Sequence, residues 1–243
     1  MNGDPRMNGD PGVEQSLPGA TNGSGAPRQI IAVLGAGSWG TALAHLAALN
    51  GHEVRLWTRD AHDAECLTQH QENVKYLPGV SLTQICVSSD LRGLVDGAGW
   101  IVSAVPCAGV PALAGELRHR LGDQTILVSG TKGLHPESGK RAAQVWEECA
   151  EWPLERYVAL SGPNLAREIA GGVPTSTVVA SPSGEAARRA QELFNSRIFR
   201  VYTNTDLVGV ELPVTEQLSA ILFEGREVRR AIEELMGRQG RAE

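Results

Sequence analysis

The stretch Ile30-Ile31-Ala32-Val33-Leu34-Gly35-Ala36-Gly37-Ser38-Trp39-Gly40-Thr41-Ala42-Leu43-Ala44 decides how this chain is read. Five apolar residues lead straight into Gly-x-Gly-x-x-Gly, and an alanine-rich helical pattern follows. Strand, tight turn and helix in that order are what a dinucleotide pyrophosphate requires. Gly35 permits the turn. Gly37 leaves no side chain between backbone and phosphate, and Gly40 lets the helix approach the strand. Ala44 repeats the small residue one turn later. The helix N-terminus then offers free N–H groups and a partial positive charge. A glycine motif without this context carries little weight; here the strand precedes it and the helix follows.

Working outward, Gly51 is placed to end the first helix as a C-cap glycine. Glu53–Trp57 reads as the second strand, after which a dinucleotide fold meets the adenosine ribose. An acidic residue there selects the 2′-hydroxyl of NAD, but this chain has Thr58-Arg59-Asp60. Arg59 suits adenine stacking and a 2′-phosphate, which favours NADP(H). Asp60 keeps NAD open, or caps the next helix, and a simply solvated arginine is the plain alternative for Arg59. Further on, strand and helix patterns alternate. Helices are predicted over Asp60–Gln71, Leu113–Leu121 and Ser138–Ala150, with a loop over Asn73–Val80. Lys132 lies between Gly130 and Gly133 after a strand, poorly placed for packing and well placed for a ligand. Gly162-Pro163-Asn164 follows another strand. The alternation predicts a Rossmann-like, doubly wound, mostly parallel sheet over residues 29–204. Two amphipathic helices, Thr215–Phe223 and Glu227–Met236, follow within 205–243. Residues 1–28 are rich in Gly, Asn, Pro, Ser and Asp and repeat MNGDP, a composition expected to be disordered.

The 42% hydrophobic and 21% charged content fits a soluble globular protein. The net charge of −6 gives no reason to expect a nucleic-acid partner. No apolar run reaches membrane-spanning length, and the N-terminus has no basic-then-apolar export pattern. Cys66, Cys86, Cys107 and Cys149 are widely spaced without metal-like pairing, so reduced thiols and a cytoplasmic location are expected. Cys107, at a helix start with no histidine near it in sequence, reads as structural.

The ordered segments GAGSWGTALA, VRLWTRD, ENVKYLPGV, SAVP, TKGL, LSGPNLAREI, FNSRIFRVYTNTDLVGVEL and PVTEQLSAILFEG resemble the NAD(P)-dependent sn-glycerol-3-phosphate dehydrogenases of the bacterial type. The resemblance covers residues 29–212 and then 213 to about 238. It implies reversible hydride transfer between NAD(P)H with dihydroxyacetone phosphate and glycerol 3-phosphate, a step that feeds glycerophospholipid synthesis. By that resemblance Ser38, Trp39 and Arg59 contact the cofactor and Lys132 touches cofactor and substrate. Gly162 and Asn164 match substrate-contacting positions, and Ala166 a cofactor-contacting one.

One departure bears on activity. In the family a Gly-Gly-Ala-Leu-Lys-Asn segment follows the GVEL sequence and supplies the general-base lysine, ahead of a helical substrate domain. Here Gly209-Val210-Glu211-Leu212 runs directly into Pro213-Val214-Thr215-Glu216-Gln217. Deletion between two copies of a short repeat accounts for that junction. No catalytic residue is therefore assigned, and 205–243 is read as a remnant of the all-α domain. Two functions follow: an impaired glycerol-3-phosphate dehydrogenase, or a non-catalytic dinucleotide-binding remnant. Association into a homo-oligomer is expected if Val208–Leu212 leaves an apolar patch uncovered. A second departure is Cys107, where the family has serine.

Overall fold

A computed structural model describes residues 27–208 and Glu227. The expectations for the leader, for Thr215–Phe223 and Glu227–Met236, and for nearly all of the 205–243 segment lie outside the described residues. Ten strands are present among those described: β1 Ile30–Leu34, β2 Glu53–Trp57, β3 Glu72–Asn73, β4 Leu77–Ser81, β5 Ile85–Ser88, β6 Trp100–Ser103, β7 Ile126–Ser129, β8 Tyr157–Ser161, β9 Thr175–Ala180 and β10 Phe199–Asn204. The helices are α1 Ser38–Leu49, α2 Ala61–His70, α3 Leu91–Val95, α4 Val110–Leu117, α5 Ala142–Ala150, α6 Ala166–Ala170 and α7 Gly184–Phe194.

Eight strands form one sheet in the order β10-β9-β8-β7-β6-β1-β2-β5. Every pairing is parallel except β8 with β9, which bears out the mostly parallel reading. The central strands are apolar throughout because both of their faces are covered. Along β1, Ile31 and Val33 join one core, with Leu43 and Leu46 of α1 and Phe194 of α7. Ala32 and Leu34 point the other way, into a second core with Val110 and Leu113 of α4 and Trp146 of α5. The period of two along a strand thus builds both layers. β1 continues to β2 on one side, while β6 lies on its other side. This reversal is where an open α/β sheet leaves a crevice at the carboxyl ends of its strands.

The local stops follow from sequence. Gly51, at φ +83°, ends α1, and its N–H reaches the Ala48 carbonyl at 2.9 Å. Asp60 caps α2 by accepting from the His62 and Asp63 amides at 2.8 and 3.2 Å.

Three sequence expectations are corrected. The loop expected over 73–80 is a hairpin, β3 against β4. A two-stranded hairpin is marginal by itself, and this one is held by burying Leu77 and Val80 against Ala42 of α1. The helix expected from Ser138 starts only at Ala142. Residues 134–141 instead form a turned-back loop, with Leu134 bridged to Arg141 and Gly139 at φ +66°. Helix α4 begins three residues earlier than expected, with Pro111 in its first turn, and ends at Leu117. Proline suits that turn because its missing N–H has no helical partner there.

Candidate functional site

The carboxyl ends of β1, β6, β7 and β8 lie side by side, and each runs into a loop that carries one of the singled-out residues. After β1, Gly35 takes φ +114° and its N–H donates to the Trp57 carbonyl of β2 at 3.0 Å. A Cβ on Gly35 would meet the Ala104 carbonyl oxygen at 3.0 Å, so both conformation and space demand glycine. At Gly40 the constraint is steric. A Cβ there would overlap the Gly35 carbonyl oxygen and lie 3.1 Å from the Ala104 methyl. Gly40 therefore lets the first turn of α1 close on the glycine turn itself. Gly37 differs from both. It has ordinary extended backbone (φ −75°) as the N-cap of the 12-residue α1, and a Cβ there would touch nothing within 4 Å. The protein leaves that space open at the positive end of a helix.

Ser38 opens α1 and donates its hydroxyl to the Tyr76 carbonyl at 2.8 Å. The ring of Trp39 lies beside the loop after β7. A Cβ on Gly130 would stand 2.5 Å from Trp39 Nε1, so glycine at 130 is what admits the indole. That Nε1 is buried and without a hydrogen-bond partner among the described residues. Two residues on, Lys132 Nζ stands 5.7 Å from the Trp39 ring centre. The loop carrying Lys132 is fastened by Gly130 N–H to the Ser103 carbonyl (2.8 Å) and by Thr131 Oγ1 to the Val105 carbonyl (3.0 Å). Lys132 is exposed along its length, yet neighbouring protein atoms remove part of the hydration of its ammonium and lower its pKa from the ordinary lysine value. Ala166, at the start of α6, packs with Trp39 against Ala42, Leu77 and Val80. The structure thus brings Gly35, Gly37, Ser38, Trp39, Gly40, Lys132 and Ala166 to one end of α1.

Gly162 and Asn164 follow β8, the neighbour of β7. Asn164 Nδ2 donates to the Ser176 carbonyl at 2.8 Å, and its Oδ1 is buried with no partner among the described residues. A Cβ on Gly162 would sit 2.8 Å from that Oδ1 and 3.1 Å from Thr177 Oγ1, so Gly162 is packed against β9. Arg59 lies past β2, on the other side of β1. It is exposed and has no ion pair or hydrogen bond among the described residues. Asp60 beside it has its carboxylate committed to the α2 cap, whose amides hold its pKa below the usual carboxylate value. Cys107 is buried where a short 3₁₀ turn begins, ahead of α4, and none of the four cysteines is in a disulfide.

Residues 30–187 match the family model described as NAD-dependent glycerol-3-phosphate dehydrogenase N-terminus. The chain belongs to this family. It is 45% identical over 185 residues to glycerol-3-phosphate dehydrogenase (NAD(P)+) of Geobacillus kaustophilus, a match covering 75% of this chain and 54% of that protein. It is 46% identical over 185 residues to the protein of the same name from Moorella thermoacetica, covering 76% and 54%. Among solved structures, glycerol-3-phosphate dehydrogenase of Coxiella burnetii superposes with a TM-score of 0.73 at 31% identity, over 78% of this chain and 58% of that one. The chain therefore spans about half the length of the curated relatives it matches.

Within this dehydrogenase family domain, the strand–turn–helix reading and the resemblance from the ordered segments both stand. Sequence reasoning passed over Asn73, which lies in the supposed loop but is 1% exposed. A polar residue so deeply buried signals a network, and only the folded hairpin reveals it. No group of three or more metal-ligating side chains occurs among the described residues. Nor does any helix among them have the length and apolarity to cross a membrane.

Proposed function

We propose that residues 29–204 bind NAD(P)H, with the pyrophosphate over Gly37 at the N-terminus of α1. The open space over Gly37, flanked by two glycines that protein atoms crowd, is the observation that carries this reading. Ser38, Trp39 and Ala166 line the cofactor side, together with Gly35 and Gly40. Arg59, free of partners among the described residues, faces the adenosine ribose and favours NADPH over NADH. Lys132, Gly162 and Asn164 hold the phosphate-bearing three-carbon substrate, dihydroxyacetone phosphate or glycerol 3-phosphate. The cofactor supplies hydride chemistry; the protein's part is to orient it and to neutralise anionic oxygens with the Lys132 cation. Fluorescence titration with NADPH tests the reading. Saturable binding by the wild type and its loss in Gly37→Val support it, and absence of wild-type binding refutes it.

Turnover is a separate matter. Loss of the hydroxyl proton at C2 calls for a positioned base, which typically contributes about 10²–10⁴-fold. The chain has three lysines and none after Lys140. Lys75 pairs with Asp63 at 4.0 Å, and Lys140 Nζ lies 2.6 Å from both carboxylate oxygens of Glu148. Lys132 remains, in a binding role. We infer that the chain as written binds the dinucleotide without turnover at a rate typical of enzymes, on the order of 1–10³ per second. An NADPH-oxidation assay with dihydroxyacetone phosphate decides between this binding role and a working dehydrogenase. Four cysteines outside any disulfide support a cytoplasmic setting. Self-association belongs to the same reading, with Val208, 48% exposed, at the edge of the described residues; light scattering would measure it.

A further inference from the structure

The β3–β4 hairpin is bolted to the glycine turn at two points. Asn73, 1% exposed, donates one amide proton of Nδ2 to the Ala36 carbonyl oxygen at 2.8 Å and the other to Thr41 Oγ1 at 2.7 Å. Its Oδ1 accepts the Tyr76 N–H at 3.2 Å, so three partners dictate the orientation of the amide. The second bolt is the Ser38 hydroxyl on the Tyr76 carbonyl. Ala36 lies between Gly35 and Gly37, the two glycines of the turn. A trans peptide is planar, with its C=O and N–H directed to opposite sides. A hold on the Ala36 oxygen therefore also sets the direction of the Gly37 N–H, which faces away from Asn73. That N–H donates to no acceptor among the described residues, and the space over Gly37 is open.

We propose that Asn73 is the positioning residue of the glycine turn: by holding the Ala36 carbonyl, it aims the Gly37 N–H at the pyrophosphate of a dinucleotide. The inference rests on the dinucleotide reading above and adds the residue that pre-orients the turn. Without the bond, the turn keeps its glycines but must order the Ala36–Gly37 peptide on binding, which lowers affinity. Thr41, fully buried, shares the same amide but does not touch that peptide's oxygen.

The test uses the full chain with two probes, NADPH and adenosine 2′-monophosphate, which has no pyrophosphate. Asn73→Ala removes the amide. Asn73→Asp keeps the acceptor for Tyr76 but sets a carboxylate against the Ala36 oxygen. Both variants should weaken NADPH by about tenfold or more, the scale of one buried hydrogen bond left unmade. Adenosine 2′-monophosphate should stay within about twofold of wild type. Unchanged NADPH affinity in both Asn73 variants overturns the proposal while leaving the dinucleotide site standing. Equal weakening of the two probes overturns it in favour of general packing. Loss of the folded far-UV circular dichroism spectrum in both Asn73 variants overturns it in favour of a purely architectural bolt. A wild type that does not bind NADPH removes the dinucleotide reading and this proposal together.

Discussion

Lys132 Nζ stands 5.7 Å from the centre of the Trp39 ring, across a gap that glycine at position 130 makes possible. The ammonium is thereby held at the end of α1 on a loop fixed by two backbone-directed hydrogen bonds. Burial lowers its pKa from 10.5. Binding of a phosphate anion needs the charged form, so affinity should fall as pH rises through the folded-state pKa, before 10.5 is reached. Calorimetric titration with glycerol 3-phosphate from about pH 7 to about pH 10 would follow this. Lys132→Arg, charged throughout that range, should flatten the decline, and Lys132→Met should weaken binding at every pH. A wild-type profile indistinguishable from that of Lys132→Arg would remove Lys132 from the site.

The glycines at 37 and 40 should fail differently. Gly37→Val places its side chain in open space, so the variant should melt within a few degrees of wild type while losing NADPH binding. Gly40→Ala drives a methyl into the Gly35 carbonyl oxygen and should cost about 1–3 kcal/mol of stability, the usual scale of overpacking. Thermal melts beside NADPH titrations separate the two. A normal melt for Gly40→Ala would mean that the first turn of α1 is free to move.

Arg59→Ala should remove about 1–3 kcal/mol of the preference for NADPH over NADH, the scale of hydrogen bonds to a charged group. Its side chain is without a partner among the described residues, so stability should hardly change. The ratio of the two dissociation constants is the measurement, and an unaltered ratio would show that another group reads the 2′-position.

Asp60 makes a stability prediction instead. Its carboxylate accepts two amides at the start of α2, which lower its pKa from 3.8. A lowered folded-state pKa means that the contribution is present above 3.8 and is lost as pH falls through the folded value. Asp60→Asn retains an acceptor without the charge, so its melting temperature should vary less than that of wild type over the acid range. Asp60→Ala should melt lower than both near neutrality. A shift in cofactor preference in Asp60→Asn, with melting unaffected, would return this residue to the ribose site.

The amino-acid order alone determined the elements whose causes are local. Apolar runs such as Ile30–Leu34 and Ile126–Ser129, followed by glycine, define strands and the turns after them. Gly35, Gly37 and Gly40 announce the close approach because glycine spacing is itself the steric signal. Lys132 between glycines and Asn164 after Gly162 were visible for the same reason. The tertiary structure decided whatever depends on distant partners. Residues 72–81 form a hairpin only because Leu77 and Val80 find Ala42, and a two-stranded hairpin has too little apolar surface to announce itself. Lys140 is an ion-paired turn residue because Glu148 lies opposite it. Asn73 matters because folding brings its amide to the Ala36 oxygen, 37 residues away in sequence. A local pattern records steric and propensity constraints within a few residues. Hydrogen bonds and packing across tens of residues leave no such periodic trace, and they are settled only when the chain closes on itself.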